Sequence, residues 1–93
     1  MDTLELLQML KVDLGIRSEL YDSRLSDRLT EAQQRLAAEG ITLTDSAADK
    51  DLVVMYAAWL WRDRVTGAPM PRMLVIARNN RLFGQKAATE AGT

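Results

Sequence analysis

The stretch Leu52-Val53-Val54-Met55-Tyr56-Ala57-Ala58-Trp59-Leu60-Trp61 carries no charge over ten residues and decides how the rest of the chain must fold. Ser46, followed three residues later by Asp49, resembles a capping pair that opens a helix around this stretch, and the helix runs to about Val65. Gly67, Ala68 and Pro69 then break it. A helix without a polar face must be buried on several sides. In a chain of 93 residues the other helices are expected to cover only part of it, leaving the remainder for a partner. Ten apolar residues are about half of the roughly 20 that span a bilayer, so no membrane span is expected.

Two helices precede this segment. The first runs from about Thr3 to Asp13, capped by Asp2 or Thr3, with Leu4, Leu7, Met9, Leu10 and Leu14 around one side and a stop at Gly15. The second starts between Ser18 and Asp22 and ends at Glu39, with Leu25, Leu29, Ala32 and Leu36 on one face and Arg28 spaced to meet Glu31. Gly40 ends it, and Ile41 sits where it can pack back on Leu36. Ile41 to Thr44 alternates apolar and polar residues and reads as an extended connector. A fourth helix is expected over about Pro71 to Phe83, with a mobile tail beyond Gly84. The fold class is therefore all-α: a compact bundle of about four helices, its third largely buried. Residues 1–84 make one helical domain and 85–93 a flexible C-terminal tail.

Composition narrows the chemistry. With no Cys and no His, disulfides, thiolate metal sites and the commonest general base are missing. Asp45, Asp49 and Asp51 do not follow the calcium-loop pattern, the serines have no His to activate them, and no Gly-rich phosphate cradle occurs. No catalytic, cofactor-binding or metal-binding residue is expected, and the protein does not read as an enzyme. The acidic amino terminus does not read as a secretory signal.

Association is the stronger theme. Residues 1–51 hold 6 basic and 11 acidic side chains, residues 52–93 hold 6 basic and 2 acidic, and the whole chain is at −1. If those halves lie on different surfaces, copies can approach head to tail. Arg62, Arg64, Arg72, Arg78 and Arg81 gather in the basic half, and Arg78-Asn79-Asn80-Arg81 could reach phosphates or base edges. A chain of net negative charge is nevertheless a poor dedicated DNA binder, so pairing with carboxylates of a neighbouring copy is the better reading. Tyr56, Trp59 and Trp61 suit either a core or an interface. Trp59 and Trp61, two apart on a helix, point about 200° from each other, so one is expected to face the core and the other a partner.

Asp13-Leu14-Gly15-Ile16, Tyr21-Asp22 with Leu25 and Leu29, Met55 to Arg62, Pro69 to Leu74 and Arg78 to Phe83 together resemble the head-tail connector (adaptor) proteins of tailed bacteriophages and prophages, over about Leu4 to Lys86. The resemblance implies a helical connector domain in a homo-oligomeric ring, dodecameric in expectation, located in the virion neck after assembly in the host cytoplasm. The ring would dock on the phage portal protein, meet a downstream stopper or tail-completion protein, and let DNA through as passing cargo. It implies no cofactor. Tyr56, Trp59, Leu60 and Trp61 would lie in the bundle and at its edges, Arg72, Arg78, Asn79, Asn80 and Arg81 on the helix toward the portal, and Phe83 to Thr93 would reach into it. The partner-interface residues are thus Tyr56, Trp59, Trp61, Arg62, Arg72, Arg78, Asn79, Asn80, Arg81 and Phe83. Two alternatives stay open: a small DNA-binding or packaging-associated helical protein using Arg78 and Arg81 on phosphates, and a free-standing adaptor that binds another protein through the Trp61 side.

Overall fold

The computed structural model describes residues 1–91, excluding the side chains of 64–66 and 89–91. Four helices follow one another: α1 (Thr3–Leu14), α2 (Asp22–Ala38), α3 (Ala47–Thr66) and α4 (Arg72–Ala91). No strand occurs among the described residues. The chain is an all-α bundle.

Local chemistry sets most boundaries. Asp2 caps α1, its carboxylate accepting the Leu4 amide at 3.0 Å. Gly15, at φ 71°, closes α1 in the left-handed region, where its amide and that of Ile16 reach back to the last turn. Ser46 opens α3 by accepting the Asp49 amide at 3.2 Å. The capping pair is completed differently from the sequence expectation, because the Asp49 carboxylate turns to Thr44 and Arg81 instead of back to Ser46.

The core is the meeting of α1, α2 and α3. Leu6 and Leu10 from α1, Leu25, Leu29, Ala32 and Leu36 from α2, and Val53 and Ala57 from α3 are fully buried. Ile41 is buried under α2, its amide donating to the Leu36 carbonyl at 3.1 Å. Of the ten-residue apolar stretch, seven residues are buried, and Met55, Trp59 and Trp61 are half-buried. None of them is exposed in the single chain, and Met55, Trp59 and Trp61 are the part of the stretch that its own helices leave incompletely covered. The other three helices and Tyr21 provide the cover, because α3 runs through the middle and contacts α1, α2 and α4.

The largest departure from the sequence reading is at the carboxyl end. The helix expected to stop near Phe83 continues through Gly84 to Ala91, so residues 85–91 of the expected tail are helical. Gly92 and Thr93 lie outside the described residues. A helical Gly costs only about 1 kcal/mol relative to Ala. Here the Gln85 side chain offsets that cost, donating to the Gly40 carbonyl at 2.7 Å and accepting the Thr42 amide at 2.7 Å.

Candidate functional site

The helix α4 packs on α3 and has two unlike faces. On the inner face Leu74 is buried, Ala77 and Leu82 are packed against the core, and Arg78, Arg81 and Gln85 point toward the 39–44 connector. On the outer face, about 200° round the helix, Arg72, Met73, Ile76, Asn79, Asn80 and Phe83 are exposed.

The inner face is fastened by polar chemistry. Arg81 reaches Asp49 with Nε at 2.6 Å from Oδ1 and Nη2 at 3.2 Å from Oδ2, a two-point pairing of guanidinium and carboxylate. Its Nη2 also donates to the Thr42 carbonyl at 2.7 Å. The Asp49 carboxylate has no exposure at all, and it accepts both the amide and the hydroxyl of Thr44 at 2.8 Å. Burial by itself pushes the Asp49 carboxyl up, but Arg81 and the two Thr44 donors outweigh it and hold the group below the ordinary carboxylate value. The hydrogen bond to Asp49 likewise raises Arg81, against the opposing effect of burial. One turn earlier, Arg78 pairs with Glu39 at 3.3 Å.

The residues singled out from the sequence therefore divide. Tyr56 is buried and meets Trp59 edge to face at 5.6 Å between ring centroids. Trp59 is half-buried and donates its indole N–H to the Ala68 carbonyl at 3.1 Å. Trp61 is half-buried against the Tyr21 ring at 5.6 Å, and it lines a groove with Arg24, Asp27 and Arg28. Neither Trp stands out as a free anchor, so the expected division into one core and one partner Trp is replaced by two half-buried rings with neighbours in their own chain. Arg78 and Arg81 bind acids of the same chain, Glu39 and Asp49. Arg62 is exposed, 4.0 Å from Asp13. The Arg64 side chain lies outside the described residues. Arg72, Asn79, Asn80 and Phe83 are the expected interface residues that do stand on the surface.

No protein-family model matches the chain, and neither a curated protein nor a solved structure matches it significantly. The surface itself has to carry the functional argument.

That surface joins Phe83 to two apolar residues outside the expected interface set, Met73 and Ile76. Met73 is 72% exposed and Phe83 69%, with Ile76 between them. With Asn80 and Ala87 they recur at alternating steps of three and four, so they form one stripe along α4. A second apolar surface lies on and beside α1, where Leu4 is 63%, Val12 83% and Leu20 77% exposed. The two helices that carry these surfaces meet different sides of α3. The groove beside α4 is lined by Ala48, Asp51, Leu52 and Met55, whereas Lys50, pointing well away from these on the helix, pairs with Glu5 of α1 at 2.9 Å. Leu4, expected on the packed side of α1 with Leu7, Met9, Leu10 and Leu14, is instead exposed, and Val12 stands outside that set.

Proposed function

We propose that this chain is a structural neck protein of a tailed phage or prophage, a ring-forming head-tail connector that docks on the portal and extends the DNA channel toward the tail. The observation that carries the reading is the pair of exposed apolar surfaces on two different helices, α1 and α4, of one small bundle. A ring subunit must present two different faces to its two neighbours, and a heterologous contact closes into a ring when the rotation allows. The charge imbalance between the two ends of the chain adds to this, since it favours unlike faces meeting. No described helix is long and apolar enough to cross a membrane.

The DNA-binding alternative is weakened by Arg78 and Arg81. Both would be needed at phosphates, and both are paired with carboxylates of their own chain. Releasing Arg81 would leave the Asp49 carboxylate buried without its counter-charge.

The test is assembly with purified portal protein, read by native mass spectrometry and particle imaging. A closed ring of one stoichiometry seated on the portal is expected. Failure to bind portal at any concentration overturns the connector reading, and retention on DNA that falls steeply with salt would favour the alternative. Truncation after Lys86 sharpens it, because Gln85 and its bonds to the connector are kept while the end of α4 is lost. The fold is expected to survive and portal attachment to weaken.

A further inference from the structure

The apolar stripe on α4 and the apolar face of α1 differ in charge and match in pattern. Along its length α4 carries Arg72, Arg78, Arg81 and Lys86 against one acidic residue, Glu90. Arg78 and Arg81 are neutralised within the chain, so Arg72 and Lys86 remain beside the stripe. Residues 2–21, which contain α1 and the turn after it, carry Asp2, Glu5, Asp13 and Glu19 against Lys11 and Arg17. Lys11 is itself neutralised by Asp22 at 2.7 Å, as Glu5 is by Lys50 at 2.9 Å, and Asp13 lies 4.0 Å from Arg62, so Asp2 and Glu19 remain against Arg17. The α4 surface is positive and the α1 surface negative.

This excludes the simplest partner for α4, which is α4 of another copy. In an antiparallel pair along the stripe, Arg72 of one helix would face Lys86 of the other, and like charges placed so destabilise the pair. The pattern of side chains selects α1 instead. Leu4, Gln8 and Val12 are exposed at steps of four, an apolar pair with one amide between. Ile76, Asn80 and Phe83 repeat that order on α4. Leu4 to Val12 is eight steps along the helix, about 12 Å, and Ile76 to Phe83 is seven, about 10 Å, so the two sets can be laid side by side. Beyond Val12 the surface dips into a groove bordered by Gly15 and Ile16, wide enough to receive a large side chain.

We propose that the α4 stripe of one copy seats on the α1 face of the next, with Ile76 and Phe83 against Leu4 and Val12 and Asn80 opposite Gln8. The amide pair fixes the register, since any slip leaves an Asn or Gln facing apolar surface. Arg72 and Lys86 lie over the acidic flank of α1. Because the two faces differ, every copy offers one of each, and association is head to tail. The inference deepens the ring reading above by naming the surfaces, and it uses the isolated chain, so it is tested without portal.

Val12→Glu disables the α1 face and Phe83→Glu the α4 face. Both positions are exposed, and circular dichroism is expected to show unchanged helix content in each variant. The wild-type chain is expected to associate with rising concentration in sedimentation velocity. Each variant alone is expected to associate about 30-fold more weakly, the effect of losing one well-packed anchor. Mixed in equal amounts, the two variants are expected to form a one-to-one dimer that grows no further, because each keeps the face the other lacks. Met73→Glu, at the other end of the α4 stripe, should behave as Phe83→Glu does. The proposal is overturned if the wild-type chain stays monomeric at all concentrations, if Val12→Glu associates as well as wild type, or if the mixed variants fail to pair. Portal binding measured on the same variants keeps the two readings apart: rings on portal that ignore both substitutions leave the connector standing and remove these surfaces.

Discussion

The α1–α2–α3 core and the attachment of α4 are held by different physics. In the core, leucines from two helices close around Val53 and Ala57 of the third, and the side chains at the centre are dry. On α4 the only buried apolar residue among the described side chains is Leu74, and the helix is positioned by Arg81, Gln85 and Arg78 reaching to Asp49, Gly40, Thr42 and Glu39. Apolar packing tolerates sliding, whereas a two-point guanidinium–carboxylate pair does not. The core supplies stability, and the polar contacts set where α4 lies and which way its apolar stripe points.

The strongest way to break the comparison is in the core. Leu29→Ala, at a fully buried position, is expected to lower stability by about 2–5 kcal/mol through lost burial and the cavity left behind. Urea denaturation measures it, and loss should be global, with all helices melting together. A smaller and more local effect is expected at the polar latch. Arg81→Met strands the Asp49 carboxylate without its counter-charge, though the partly exposed site admits water, and the cost should be about 2 kcal/mol. Hydrogen exchange is expected to quicken in α4 and the 39–44 connector while the slowest amides of α2 keep their protection. Equal quickening everywhere would show that α4 is part of the cooperative core.

Acid offers a third probe. Asp49 is held below the ordinary carboxylate value near 3.8, so its contribution is complete above that value and is lost as pH falls through the lower folded value. Stability should therefore be insensitive to this group above about pH 5 and drop below about pH 4. In Asp49→Asn the part of that drop due to this group should vanish, as a pH series of denaturation midpoints would show. The smallest effect is expected at Gly84. No other atom lies within 4 Å of where a Cβ would sit, so Gly84→Ala should stabilise α4 by about 0.5–1 kcal/mol. A destabilisation there would mean that the helix does not run through Gly84 in solution.

Much of the fold was legible because it rests on local signals. Leu25, Leu29, Ala32 and Leu36 follow a helical repeat, and all four are fully buried. Gly15 and Ser46 act at the helix ends where their conformational and hydrogen-bonding habits place them. Of the candidate interface, Arg72, Asn79, Asn80 and Phe83 were read as surface residues and are exposed. Arg78 and Arg81 were not assigned their partners, because those lie 39 and 32 residues away and no periodicity connects them. The continuation of α4 past Gly84 was missed for the same reason: the Gln85 bonds that hold it reach 45 residues back along the chain.

By itself the sequence determined that the chain is helical, where three of its helices begin and end, and which face of α2 turns inward, since each follows from residue spacing and from the conformations Gly, Ser and Asp favour. Only the tertiary structure decided that no residue of the apolar stretch of α3 is left exposed, that α4 runs on past Gly84, and that its basic residues divide between pairing at home and facing outward. Those outcomes depend on which distant groups come within hydrogen-bonding distance, and that is settled by how the helices pack in three dimensions.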